Sequence, residues 1–191
     1  FGGPLVPDHL DFAGIRLHID HRARRQIQQD VDALRRHAGY FERQVDKMDM
    51  YFPIIERIFR EENLPEDFKY LVVQESALIG NAVSTSKAVG YWQFKEATAL
   101  EMGLRVDRLV DERMNIVSST RAAAKYLKKH YVYLENWLYA LLAYNTGLGG
   151  VERNLDNRYR GAKRMDITAH THWYIKKFLP HRIADGGETG S

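Results

Sequence analysis

The chain has 191 residues and a mass of 22.2 kDa, with 45% hydrophobic and 28% charged residues. These values are typical of a single soluble globular domain, and they exclude disordered, collagen-like and membrane protein classes. The net charge of +3 arises in residues 151–191 and is too small for a nucleic-acid interface, so no nucleic acid partner is expected. Because the chain has no Cys, disulfides, iron–sulfur clusters and Cys-ligated zinc are excluded.

The two ends of the chain give little information on targeting. No run of eighteen apolar residues occurs, so we expect no membrane span. The start at Phe1 carries no signal peptide and no initiating Met, which leads us to expect a trimmed or processed form. A lipid or signal anchor removed from the longer form stays open. The Gly-rich ending, residues 186–191, predicts a disordered tail.

The first half of the chain begins with an extended arm and continues as helix. Alternating apolar positions and two prolines predict the arm over residues 4–20, and apolar residues spaced by three and four predict one amphipathic helix over 21–48. Pro53 is expected to interrupt the next segment. A new helix should begin at Pro65, which is followed by two acidic residues that suit a helix N-terminus.

The second half of the chain alternates loops with helices. A polar loop is predicted over 79–87, followed by a helix over 95–102 that Gly103 ends. Further helical patterns cover 111–134, 137–144 behind a capping Asn136, and 168–184. With no run of alternating strands, the predicted fold class is all-α or nearly so.

Glu75 is the residue that first suggests chemistry. It continues the inward-facing positions of Phe68, Leu71 and Val72, so a carboxylate stands where a Leu would be expected. A salt-bridged structural Glu, or a helix end that emerges into solvent, is the ordinary explanation. However, Glu75 also ends its helix and opens the polar loop, which could form the wall of a cleft. A carboxylic acid in such a setting can protonate a glycosidic oxygen.

Glycoside hydrolysis normally needs a second carboxylate. The window from Ser76 to Lys95 contains no Asp or Glu, and Glu96 and Glu101 lie on the next predicted helix, where surface roles are expected. If the cleft has a single acid, the reaction must supply its own nucleophile.

Four separated motifs resemble the soluble lytic transglycosylase-like family, which is related to goose-type lysozyme. In order, they are Glu75-Ser76, Ala82-Val83-Ser84, Ala88-Val89-Gly90-Tyr91-Trp92-Gln93-Phe94 and Ala143-Tyr144-Asn145-Thr146-Gly147. The resemblance implies a lysozyme-like catalytic domain over residues 46–180, preceded by an arm and bracing helix over 1–45 and followed by a tail over 181–191. The sequence departs from the family at three places. Gly80 stands where the family usually has a Pro, Lys95-Glu96 where it has Met-Pro, and His170 where it commonly has a Glu.

The resemblance also implies an activity and its catalytic residue. In this family a single Glu, matched by Glu75, protonates the oxygen between N-acetylmuramic acid and N-acetylglucosamine. The same Glu then accepts the proton of the muramoyl C6 hydroxyl, which attacks C1 and forms a 1,6-anhydromuramoyl end. Because the nucleophile is tethered, a second carboxylate is unnecessary, and no cofactor or metal is expected.

Further site residues follow from the resemblance by position. Ser84 and Gln93 match residues that orient the muramoyl sugar, and Asn145 matches one that holds a sugar amide. Tyr144 and Tyr174 match tyrosines placed beside the acid. Without the resemblance, the two tyrosines would be ordinary core aromatics and Gln93 a loop residue.

Three other functions stay open. Eight His residues allow a metal site, but the pairs His18/His21 and His170/His172 have no matching third ligand nearby. A goose-type lysozyme would use the same acid with water as the nucleophile. A noncatalytic peptidoglycan-binding module is the third alternative.

The resemblance places the chain in the periplasm or cell envelope of a bacterium, with peptidoglycan glycan strands as its partner. The predicted helix over 21–48 is less well explained. It either braces the catalytic domain or docks a protein partner.

Overall fold

The structure is a computed structural model that describes residues 3–153 and 155–186. Within these residues, the helices are α1 (His21–Arg36), α2 (Ala38–Glu61), α3 (Leu71–Ser76), α4 (Glu96–Glu101), α5 (Ile116–Leu134), α6 (Trp137–Glu152) and α7 (Trp173–Ala184). The strands are β1 (His9–Phe12), β2 (Ile15–Ile19) and β3 (Arg164–Ile167). The prediction of an all-α or nearly all-α fold is confirmed. The disordered tail predicted over 186–191 falls mostly on residues 187–191, which lie outside the described residues, whereas the start of the predicted tail over 181–191 belongs to α7.

The chain divides into two compact units. The first contains the described residues of 1–43 and 129–191, and the second contains residues 44–128. The boundaries fall within α2 and α5. This division reflects how the chain packs. The domain boundaries predicted after residues 45 and 180 come from the family resemblance and stay a prediction.

The N-terminal arm of the first unit is extended and forms part of a sheet. Strands β1 and β2 pair antiparallel, with Leu10 opposite Leu17, and β3 joins β2 in parallel, with Ile19 opposite Ile167. Alternate side chains face inward, and Phe12 meets the ring of Phe178 edge-on at 5.5 Å. The strand at 164–167 was not predicted, because four residues of alternating pattern carry too weak a signal.

The predicted helix over 21–48 is two helices. Asp20 caps the start of α1, with its side chain accepting a hydrogen bond from the amide of Ala23, and the chain leaves helical geometry at His37, directly after Arg36. The expectation of one continuous helix is therefore wrong, as is the expected interruption at Pro53, which lies inside α2. The apolar stripe continues across His37, so hydrophobic spacing alone does not reveal the break.

Helix α1 packs against α7 within the first unit. Its Ile27 and Val31 are fully buried, while Asp30 forms an ion pair with Lys177 at 3.1 Å. The Arg35 guanidinium donates to the carbonyl of Ala184 at 2.7 Å. The apolar face of α1 is thus covered by its own unit, and docking of a protein partner through 21–48 stays a prediction.

The second unit is built around aromatic and aliphatic side chains of α2 and the segments after it. Phe59, Phe68 and Leu71 are fully buried. Trp92 meets the ring of Phe59 at 5.7 Å, and its indole N–H donates to Thr120 Oγ at 3.0 Å, so the largest buried side chain keeps its polar atom paired. In the described residues, no helix is long and apolar enough to cross a membrane.

Candidate active site

Glu75 is the penultimate residue of α3. A short 3-10 helix, Glu66–Tyr70, begins just after Pro65 as predicted and leads into α3. Phe68, Leu71 and Val72 are fully buried, which confirms the inward face. Glu75 itself is half-buried, so its carboxyl lies at the margin of this core.

The backbone turns sharply directly after Glu75. Ala77 and Leu78 have φ values of 51° and 61°, a left-handed conformation that costs non-glycine residues about 1–2 kcal/mol each. Ser76 is buried and Leu78 is only 3% exposed, which anchors the turn in the core. The chain therefore leaves the helix immediately beyond the carboxylate and enters the predicted polar loop.

Ser84 and Gln93 belong to one hydrogen-bonded loop over residues 77–95, which extends beyond the predicted polar loop at 79–87. Gly90 N–H donates to the Ala82 carbonyl at 2.8 Å, and Val89 and Phe94 exchange hydrogen bonds at 3.0 and 3.1 Å. The Gln93 amide nitrogen donates to the carbonyls of Ala82 and Gly90 at 3.1 and 2.9 Å. What this amide can offer a ligand is its oxygen, which accepts hydrogen bonds.

Ser84 is half-buried and holds the tip of the same loop. Its hydroxyl accepts from the Ala88 amide at 3.0 Å and lies 3.0 Å from the hydroxyl of Ser86. Its carbonyl accepts from Lys87 N–H at 3.0 Å. The hydroxyl is therefore fixed in place before any ligand binds.

Arg113 supports the loop and was not predicted from the sequence. Its side chain is almost fully buried, and its Nε and Nη2 donate to the two oxygens of Asp111 at 2.9 and 2.7 Å. Its Nη1 donates to the Phe94 carbonyl at 3.2 Å. The guanidinium beside Asp111 lowers the pKa of that carboxyl, because the hydrogen-bonded pair favours the ionised form. The spacing of Asp111 and Arg113 was the only signal in the sequence.

The backbone at Gly90 lies against Arg113 as well. A Cβ at Gly90 would come within 1.9 Å of the Arg113 carbonyl oxygen, and φ at Gly90 is +89°. Only glycine fits this position. The glycine of the third motif is therefore required by a close backbone approach.

Gly80 departs from the family, and its surroundings contain a pair of tyrosines. A Cβ at Gly80 would come within 2.7 Å of the Tyr91 ring. Burial and a hydrogen bond with Tyr51 raise the pKa of Tyr91 to about 12, and the two rings are 5.8 Å apart. The Tyr91 ring thus occupies the space that a larger residue at position 80 would need.

Tyr144 and Asn145 lie on α6 in the first unit. Asn136 caps this helix as predicted, accepting from the amides of Leu138 and Tyr139. Tyr144 is half-buried and Asn145 is exposed. Two residues later, Gly147 leaves helical geometry with φ 72° and ψ 168°, which kinks the helix just after these side chains.

Tyr174 lies in the first turn of α7, also in the first unit. It is 2% exposed, and its amide donates to His172 Nδ1 at 3.1 Å, so His172 caps the helix as an acceptor. Burial lowers the pKa of His172, which favours the neutral ring needed to accept this bond. Trp173 beside it is 57% exposed.

The six predicted site residues therefore form two groups. Glu75, Ser84 and Gln93 lie in the second unit. Glu75 stands just before a hydrogen-bonded loop, and Ser84 and Gln93 lie within that loop. Tyr144, Asn145 and Tyr174 lie in the first unit, on α6 and α7. Their roles in catalysis and binding stay predictions.

Comparison with known proteins gives the same family as the four motifs. A family model described as the transglycosylase SLT domain matches residues 52–167. Membrane-bound lytic murein transglycosylase D is 26% identical over 186 residues, both in Escherichia coli strain K12 and in strain O6:H1. The match covers 93% of this chain and 41% of the relative, so the chain spans less than half of that protein.

A solved structure shares the fold. The crystal structure of the 70 kDa soluble lytic transglycosylase from Escherichia coli superposes with a TM-score of 0.54, at 16% identity, over 88% of this chain and 30% of that one. The family model and the matching relatives confirm the resemblance stated from the motifs. Because the family model matches more than half of its residues, the chain belongs to the transglycosylase SLT domain family.

Proposed function

We propose that this protein is a peptidoglycan lytic transglycosylase. It cleaves the β-1,4 bond between N-acetylmuramic acid and N-acetylglucosamine and leaves 1,6-anhydromuramoyl ends. The observation that carries the proposal is the position of Glu75, which is half-buried at the end of α3 and opens a hydrogen-bonded loop. From Ser76 to Lys95, that segment contains no second Asp or Glu.

The reaction proceeds in two proton transfers on Glu75. The protonated carboxyl gives its proton to the glycosidic oxygen as the bond from C1 to that oxygen breaks. The resulting carboxylate takes the proton of the muramoyl C6 hydroxyl while that oxygen bonds to C1. Tethering of the nucleophile gives a high effective molarity, so one carboxylate suffices. No cofactor takes part.

The remaining predicted residues bind and orient the sugars. Gln93 offers its amide oxygen and Ser84 its hydroxyl, both held by loop hydrogen bonds that lower the entropy lost on binding. Asn145 holds a sugar amide. Tyr144 and Tyr174 match tyrosines that stand beside the acid in this family. These roles rest on the resemblance to the family.

The substrate places the protein in the bacterial periplasm or cell envelope, with peptidoglycan glycan strands as its partner. The relative from Escherichia coli carries the description membrane-bound. Fractionation of the source bacterium tests this location, and recovery of the native protein only from the cytosol would contradict it.

A goose-type lysozyme is the rival enzyme, with water as the nucleophile. The two reactions differ in product mass, since the anhydro end is lighter by one water than a reducing end. Mass spectrometry of digested peptidoglycan separates them. We expect anhydromuramoyl species, and a digest containing reducing ends alone would refute the transglycosylase.

Replacement of the acid tests whether the protein is an enzyme at all. Glu75→Gln should reduce release of soluble muropeptides from purified sacculi by about 10²–10⁴-fold, the usual range for loss of a general acid and base. Glu101→Gln, an equal change on the exposed face of α4, should keep full activity. Equal release by wild type and Glu75→Gln would favour the noncatalytic peptidoglycan-binding module.

A further inference from the structure

The solvent face of the three-stranded sheet contains a cavity that the proposed reaction does not use. Its volume is about 470 Å³, within the usual range for sites that hold small ligands. It lies entirely within the first unit. Polar side chains of all three strands line it, together with a tyrosine from the segment before β3; they include His9, Arg16, His18, Tyr159, Arg164 and Asp166.

The strand register places two like charges side by side in this cavity. Arg16 on β2 is the direct partner of Arg164 on β3. Two guanidinium groups held side by side repel each other, and an anion bound between them relieves this repulsion.

Within the part of the chain that the structure describes, the carboxylates of this face pair with groups other than Arg164. Asp11 binds Arg16 at 3.2 Å, and Asp166 lies 3.6 Å from His18. His9 lies 3.9 Å from Asp8 and its ring is 4.9 Å from that of His18. Among the described residues, the Arg164 guanidinium forms no ion pair and no side-chain hydrogen bond.

We propose that this cavity binds the carboxylate of a short acidic peptide, held by Arg164 and Arg16. A planar carboxylate matches the fork of a guanidinium, and the Tyr159 hydroxyl supplies another donor. Asp166 and Asp11 on the same face disfavour a doubly charged phosphate, whereas Asp166 can accept from peptide N–H groups. The peptide stems of peptidoglycan carry such carboxylates and are the source that we infer for the peptide. That source rests on the proposed function, whereas binding of the carboxylate itself does not.

Nuclear magnetic resonance titration of the ¹⁵N-labelled chain tests the inference directly. The probes are N-acetyl-Ala-Glu with a free α-carboxylate and an amidated side chain, the same peptide with both carboxylates amidated, and inorganic phosphate. We expect the free peptide to shift the backbone amides of β2 and β3. Arg164→Gln and Arg16→Gln should each raise its Kd roughly tenfold, as expected for loss of a charge-assisted hydrogen bond. Lys125→Gln, an exposed residue of α5 in the other unit, should leave Kd unchanged.

Three outcomes would overturn the inference. They are equal binding of the amidated peptide, an unchanged Kd in Arg164→Gln, and tighter binding of phosphate than of the peptide at the same amides. Thermal unfolding of Arg164→Gln separates a binding role from a structural one, because this change removes a like charge beside Arg16 and breaks no ion pair among the described residues, so Tm should stay equal or rise. Since Glu75→Gln should bind the peptide normally, loss of the proposed enzyme activity would leave this result standing.

Discussion

Left-handed backbone conformations are concentrated around the candidate acid. Of the non-glycine residues with positive φ, four lie between α3 and α4, namely Ala77, Leu78, Lys87 and Gln93. Each costs about 1–3 kcal/mol and persists only where the surrounding contacts determine it. The hydrogen bonds of Gln93 and the burial of Leu78 supply such contacts. Strain of this kind is typical of functional sites, which agrees with the role proposed for Glu75.

Gly90 is the most sterically restricted residue of this loop. In Gly90→Ala, the new Cβ would lie 1.9 Å from the Arg113 carbonyl oxygen, so the backbone must shift. We expect a loss of at least about 3 kcal/mol in the free energy of unfolding. Gly103→Ala is the matched control, because φ there is +88° but nothing lies within 4 Å of the Cβ. It should lose only about 1–2 kcal/mol, the cost of the left-handed conformation. Equal losses in chemical denaturation would contradict the close approach.

His181 makes stability depend on pH. Burial lowers its pKa to about 4, while Asp30 opposes this shift and Lys177 adds to it. His37 and Tyr40 line the same small cavity. The folded chain holds the neutral ring, whereas the unfolded chain takes up a proton below about pH 6.5, so acidification favours unfolding. Denaturation should show a loss of up to roughly 2 kcal/mol between about pH 7 and pH 5.

The contribution of His181 is separated from that of other groups by substitution. His181→Gln cannot titrate and should lose less stability over this pH range than wild type. His170→Gln, which changes an exposed histidine before α7, should follow the wild-type profile. A profile for His181→Gln that is parallel to wild type would show that other groups cause the dependence.

At the level of single residues, the sequence identified those that break a local rule. A carboxylate on an apolar helical face marked Glu75, whereas Gly90 was only one residue of the third motif and its close approach to Arg113 came from the structure. Arg113 could not be found in this way, because an arginine next to acids in a polar segment is the pattern of an exposed surface. Its burial depends on Asp111 and on the Phe94 carbonyl, which is far from it in sequence.

Helix α6 carries two of the predicted site residues just before its kink. Gly147, with φ 72° and ψ 168°, adopts a conformation that is essentially restricted to glycine. Gly147→Ala should therefore lower the free energy of unfolding by about 1–3 kcal/mol. Gly149→Ala, two residues further in the same helix and with open space around its Cβ, should instead stabilise it by about 0.5–1 kcal/mol. Effects of the same sign in thermal unfolding would contradict the kink.

Among the elements, the helices were predictable from the sequence. Of the sheet, only the extended arm that contains β1 and β2 was predicted, and β3 was not. Apolar spacing and caps such as Asn136 are local signals, and they located both ends of α4 and the start of α6 to within one residue. Helices α5 and α7 begin five residues later than predicted, and α6 ends at Glu152 rather than at Tyr144. The pairing of β2 with β3 joins Arg16 to Arg164 across most of the chain, and no local pattern encodes such a partner. At Pro53 a local signal was present but misleading. Proline predicts a break in the helix, yet α2 continues through Pro53, with buried residues on both sides of it.

At the scale of the whole molecule, the two units separate the predicted residues by chain segment. The acid and its loop come from one continuous segment, 44–128, whereas the two tyrosines and Asn145 come from the C-terminal part of the other unit. The family model begins at residue 52 and ends at 167, so it includes parts of both units but not Tyr174. The role of Tyr174 therefore rests on the positional resemblance to the family and lies outside the family model.

The net charge of the molecule predicts a weak dependence of activity on salt. Its 28 basic residues are nearly balanced by 25 acidic ones, and many of the arginines are paired, including Arg113, Arg121 and Arg158. A net charge of +3 gives little long-range attraction to an anionic polymer once salt screens it. The initial rate of muropeptide release from sacculi should therefore change less than about threefold between roughly 50 and 300 mM NaCl. Lys125→Gln, which lowers the net charge by one, should give the same profile. A fall of tenfold or more would show that a local basic surface, rather than the fit of sugars to the loop after Glu75, dominates binding of the polymer.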